Sequence, residues 1–67
     1  MIEVWINGER RSVEAGLTVA QLLEALGVQT AVAVVEKNLA VVSRDAYGTE
    51  PVEPGDRIEL IRLMGGG

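Results

Sequence analysis

The sequence predicts an α+β domain: one mixed sheet of four to five strands with one main helix packed across one face. Three observations point there. The chain opens with an alternating strand that runs into a hairpin turn. An amphipathic helix follows, too short to stand alone in water. Valine-rich and isoleucine-rich segments then supply the sheet on which that helix must lie.

The elements can be taken in order. Ile2, Val4 and Ile6 alternate with Glu3 and Trp5, the period of a half-buried strand. Asn7-Gly8 is a strong hairpin signal, because both residues tolerate positive φ. A second strand, about Arg10 to Glu14, is expected to pair antiparallel with the first, with Val13 inward. Thr18 and Gln21 have the spacing of a capping box, and Leu17 and Leu22 that of a hydrophobic staple. Val19, Leu22, Leu23 and Leu26 form one apolar stripe. Gly27 stands where a left-handed C-cap residue is wanted. The helix is therefore expected over about Val19 to Leu26.

Ala31 to Val35 reads as a central strand buried on much of both faces. Glu36-Lys37-Asn38 is polar and can turn, and Leu39 to Val42 is a short strand. Ser43 to Tyr47 reads as a single irregular turn. Gly48 to Val52 is loop or a very short edge strand, the place a proline at residue 51 allows. Glu53-Pro54-Gly55-Asp56 has the residues of a type II turn. Ile58 to Met64 is the last strand. A crossover through a helix favours parallel neighbours, so the first and last strands are expected side by side at the centre. Residues 1–64 form the domain, and residues 65–67 a flexible glycine tail.

Composition narrows the function. The chain has 67 residues, 48% of them apolar, and no Cys or His. Disulfides and the usual zinc sites are excluded, so the fold rests on apolar burial and hydrogen bonds. The net charge is −4 and the basic residues are scattered, the reverse of a nucleic-acid footprint. No apolar run approaches the ~20 residues of a membrane span. The N-terminal residues lack a basic region followed by an apolar one, the pattern of a signal peptide. A cytoplasmic protein, monomeric when free, is the expectation.

An enzyme site is not visible. The common general base and the strongest nucleophile are both missing, and Ser12 and Ser43 have no candidate His or Lys base nearby in sequence. Neither phosphate-binding glycine pattern is present. The unusual feature is Gly65-Gly66-Gly67. Glycine has the most conformational entropy to lose, so this run cannot help folding. A frayed terminus or residues left by cloning fit it. So does a functional tail: the glycines abut the apolar strand end Leu60 to Met64 with no polar linker between. A terminal carboxylate becomes reactive once adenylated. Three slim residues reach about 10 Å, a suitable depth for a tunnel into another protein's active site.

The ordered set of segments resembles the ThiS/MoaD family of ubiquitin-like sulfur carriers, and within it the branch that serves thiamine thiazole formation. The resemblance is carried by Asn7-Gly8-Glu9, by Leu17-Thr18-Val19 leading into Leu22-Leu23, and by Val32-Ala33-Val34. It continues through Val41-Val42-Ser43-Arg44 and Pro54-Gly55-Asp56-Arg57-Ile58-Glu59-Leu60 to Gly66-Gly67. It covers essentially the whole chain. Many members have Pro where this chain has Ser43, and a residue other than Gly where it has Gly65.

The resemblance implies a β-grasp fold and a protein that is a co-substrate rather than an enzyme. A ThiF-like adenylating enzyme, using ATP and Mg, would activate the Gly67 carboxylate. A persulfide donor protein would displace AMP, and a ThiG-like thiazole synthase would take sulfur from the resulting thiocarboxylate. The carrier itself would hold no cofactor and no metal. The absence of Cys agrees with this, since no side chain here can hold a persulfide. Gly65, Gly66 and Gly67 would enter partner active sites.

Trp5, Ile61, Leu63 and Met64 are the candidates for a partner-binding patch leading to the tail. Trp5 alternatively is a half-covered surface aromatic. Arg44, Asp56 and Glu59 either assist docking or are ordinary surface charge. Carriers for molybdopterin synthesis or tRNA thiolation, and a non-covalent β-grasp interaction module, are the competing readings.

Overall fold

A computed structural model of the chain describes residues 1–62. Leu63, Met64 and the glycine run Gly65-Gly66-Gly67 lie outside the described residues. The strands are β1 (Ile2–Ile6), β2 (Glu9–Val13), β3 (Ala33–Lys37), β4 (Ala40–Val41) and β5 (Arg57–Arg62); the helix α1 is Val19–Ala25. Single 3-10 turns cover Thr30–Val32 and Arg44–Ala46. The five strands form one sheet in the order β2-β1-β5-β3-β4. β1 and β5 run parallel at its centre, and the other pairs are antiparallel.

The helix forms where its sequence signals say. Thr18 caps it: the Gln21 N–H donates to Thr18 Oγ1 at 3.2 Å, and the Thr18 N–H donates to Gln21 Oε1 at 2.9 Å. At the other end Gly27 takes φ +74°. The Val28 N–H then reaches the Leu23 carbonyl at 2.9 Å, and the Gly27 N–H the Glu24 carbonyl at 3.0 Å, a Schellman closure. Val19, Leu22 and Leu23 are buried against the sheet. Their partners are Val4 and Ile6 of β1, Ala33 and Val35 of β3, and Ile58 of β5, with Val42, Tyr47 and Val52 closing the core from the connecting segment. Tyr47 is buried with its hydroxyl donating to the Ala33 carbonyl at 2.9 Å, so the aromatic ring carries its polar end inside at little cost.

β2 starts and ends one residue earlier than its sequence reading and β4 is confined to Ala40–Val41; the larger difference is in β3. The run from Ala31 does not begin as a strand, because Thr30–Val32 is a 3-10 turn, and β3 extends through Glu36 and Lys37. The turn falls one step later, at Asn38-Leu39, with φ +53° and +72°. The reason lies at Lys37. It stands opposite Ile58, a position on the helix side of the sheet, yet its ammonium group finds two acceptors and a further carboxylate there. It donates to Glu50 at 2.7 Å and to the Pro51 carbonyl at 2.9 Å, and lies 3.6 Å from Asp56. A charge so supplied no longer has to end the strand.

Candidate functional site

The site of interest is the outgoing end of β5 and the sheet face away from the helix. β5 is held on both sides. On the β1 side, the Trp5 N–H donates to the Asp56 carbonyl and the Asn7 N–H to the Ile58 carbonyl, each at 2.9 Å. β1 then ends in its hairpin, and the Asn7 side chain takes over: its Oδ1 accepts from the Leu60 N–H at 2.8 Å. On the β3 side, pairing runs from Lys37 opposite Ile58 to Ala33 opposite Arg62. β5 is thus braced up to its last described residue.

A second asparagine grips the other end of β5 in the same manner. The Asn38 N–H donates to the Arg57 carbonyl at 2.8 Å, and the Arg57 N–H donates to Asn38 Oδ1 at 2.9 Å. Asn38 Nδ2 also donates to Asp56 Oδ1 at 3.0 Å, and Asp56 Oδ2 accepts from the Glu53 N–H at 2.8 Å. Asp56 is therefore a buried structural carboxylate and not a docking charge. Glu50, hydrogen-bonded to Lys37, and Asp56 nearby raise the Lys37 pKa above the ordinary lysine value, against the opposing effect of burial.

Strand register places the sequence candidates. Trp5 is 37% exposed and Ile61 49% exposed, and alternation puts both on the face opposite the helix. They are not neighbours. Trp5 pairs with Arg57, whose guanidinium sits 5.7 Å from the indole centroid. Ile61 lies four residues further along β5, roughly 13 Å away at ~3.3 Å per residue.

Register instead sets Ile61 beside Val34, Glu59 beside Glu36, and Glu36 beside Val41. Val34 and Val41 are thus members of this surface that sequence reading missed. Val34 was hidden by reading its strand as buried on both faces. Val41 was hidden because the position of the second hairpin was not legible. Arg44 and Glu59 are exposed. Leu63, Met64 and Gly65 to Gly67 fall outside the described residues, so two ends of the expected patch, Trp5 and Ile61, are placed here. Among the described residues no group of acidic side chains gathers to hold a metal, and no helix is long and apolar enough to cross a membrane.

A mixed sheet with parallel central strands, flanking hairpins and one crossing helix is the β-grasp, or ubiquitin-like, architecture. Within that class the chain belongs to the ThiS family, whose model matches residues 4–67. It is similar to the crystal structure of the thiamine biosynthesis protein ThiS from Geobacter metallireducens, with a TM-score of 0.85, 36% identity, and coverage of 98% of this chain and 100% of that one. The sulfur carrier protein ThiS of Thermus thermophilus is 39% identical over 70 residues, covering 96% of this chain and 98% of that protein. A thiazole synthase of Paramagnetospirillum magneticum is 42% identical over 62 residues, or 92% of this chain. The chain spans only 19% of that synthase's length.

Proposed function

We propose that this protein is a sulfur carrier for thiamine thiazole formation, working through a thiocarboxylate at Gly67. The observation that carries the reading is that the family match runs through the glycine residues to 67, beyond a strand held on the β1 side up to Leu60 and paired with β3 up to Arg62. The chemistry follows from a carboxylate's needs. A ThiF-like adenylating enzyme aligns the Gly67 carboxylate with the α-phosphorus of Mg-bound ATP. The carboxylate oxygen attacks, pyrophosphate leaves, and a mixed anhydride with AMP results. The terminal sulfur of a protein persulfide attacks the carbonyl carbon and expels AMP. A thiol then cleaves the sulfur–sulfur bond of the acyl disulfide, taking the donor's sulfur into a new disulfide and leaving the thiocarboxylate.

A ThiG-like thiazole synthase is the acceptor. Support for that partner comes from the relative in which a matching stretch occupies a fifth of a thiazole synthase, since a carrier joined to its acceptor meets it at high effective concentration. This favours the thiamine branch over molybdopterin synthesis or tRNA thiolation. A cytoplasmic cycle, where ATP is at hand, fits this reading.

Glycine at residues 65 to 67 lets backbone approach a partner's active site closely. The surface around Ile61, and Trp5 further back, is assigned to partner contact, together with Leu63 and Met64, which follow Ile61 in sequence.

Intact mass decides the matter. Incubation with the adenylating enzyme, ATP, Mg and a persulfide donor is expected to exchange one oxygen for sulfur. Deleting Gly67 abolishes the exchange while the fold survives. A deletion variant that still gains sulfur refutes the mechanism, and a chain that never gains it is a non-covalent module.

A further inference from the structure

The sequence contains a single lysine, Lys37, and its other five basic residues are arginines. Arg10, Arg11, Arg44, Arg57 and Arg62 are all exposed. The guanidinium stays charged and is no acyl acceptor at neutral pH. Lys37 is the exception in chemistry and also in placement: its side chain is 15% exposed, tied to Glu50 at 2.7 Å, with Asp56 3.6 Å away. The Pro51 carbonyl accepts from the same ammonium group at 2.9 Å. Fold stability alone does not ask for this arrangement, since a polar cluster of this kind is often replaceable by well-packed apolar side chains.

We propose that the Lys37–Glu50–Asp56 cluster withholds the sequence's one lysine amine from acylation, so that a carrier with an activated Gly67 carboxyl does not modify its own kind. The proposal rests on the carrier reading above. In the reaction that is prevented, a neutral amine attacks the Gly67 carbonyl carbon of the acyl adenylate. The carbon–nitrogen bond of an isopeptide forms and the carbon–oxygen bond to the phosphoryl group breaks. AMP departs with that electron pair, and the amine proton passes to water.

An amine held as ammonium by close carboxylates has no free lone pair for this attack. Lys37 stands opposite Ile58 and Ala33 opposite Arg62, so the lysine lies beside the incoming end of β5. The ion pairing is the protection, within one chain and between two copies alike. With no Cys or His in the sequence, no thiol or imidazole side chain of the carrier competes with sulfur from outside.

Two measurements test this. First, the native chain is trace-labelled with acetyl N-hydroxysuccinimide ester beside Nα-acetyl-lysine as reference, in buffer and in urea. Lys37 should label severalfold more slowly, relative to the reference, in the native state than when unfolded; equal ratios overturn the proposal. Second, the chain is incubated with the adenylating enzyme and ATP without a sulfur donor. Glu50→Gln should give covalent dimers joined from Gly67 to Lys37 severalfold faster than the native chain, and adding Lys37→Arg should remove them. Native dimers forming through Lys37 as fast as those of Glu50→Gln overturn it. Hydroxylamine added to the same mixture traps an activated carboxyl as the Gly67 hydroxamate. If no hydroxamate forms, the carrier reading itself has failed and the proposal with it, while the labelling ratio still reports whether the amine is sequestered.

Discussion

The two hairpins of this small sheet are built alike and used differently. Asn7-Gly8 and Asn38-Leu39 are both two-residue loops with positive φ at each position. Both asparagines turn inward on β5, each donating its backbone N–H to a β5 carbonyl and accepting a β5 N–H on its side chain. The central strand is thus clasped from either side by the same device. The first clasp sits beside the outgoing half of β5 and stands by itself. The second sits at the incoming end and is wired into Asp56, and through it to the neighbourhood of Lys37. One residue type can therefore do the same backbone work in two places, while the network behind it sets how much depends on it.

Substitutions can break that comparison. Asn38→Gly keeps the positive φ but removes the acceptor for Arg57 and the donor to a buried carboxylate. It is expected to cost about 2 kcal/mol by urea unfolding, from two hydrogen bonds at about 1 kcal/mol each. Asn7→Gly removes one such bond and is expected to cost about 1 kcal/mol. Equal losses at the two sites would show that the Asp56 network adds nothing.

Leu39→Gly goes the other way. A leucine at φ +72° carries a left-handed cost of about 1–2 kcal/mol, partly offset by glycine's greater entropy loss of about 0.5–1 kcal/mol. The net expectation is a gain of about 0.5 kcal/mol, read from the unfolding midpoint.

The smallest effect near neutrality is the pH dependence of the second clasp. Lys37 is raised in the folded state, so its contribution is fully present below the unfolded lysine value near 10.4. It is lost as pH rises through the folded value. Stability should therefore fall faster above about pH 10 in the native chain than in Lys37→Met; parallel curves would disprove the linkage.

The same contrast shows what the sequence made legible. Asn7-Gly8 announces a hairpin, because glycine is the residue such a turn asks for, and the capping box with its apolar stripe announces α1. The parallel central pair followed from one helix crossing between strands. Asn38-Leu39 hid itself, because a leucine is the wrong local signal and only the surrounding contacts hold it there. Lys37 concealed the end of β3 for a related reason: the acceptors that make a charge acceptable in a strand come from residues 13 to 19 positions later. Trp5 and Ile61 were placed on the correct face by alternation. Their separation along β5, and the company of Val34 and Val41, needed the register between strands, which no single segment contains.

A load applied along β5 acts in shear, because its hydrogen bonds lie across the pull. β5 has a neighbour on each edge, so the bonds to β1 and to β3 must yield together before the strand slides. A border strand would be held by one such row alone.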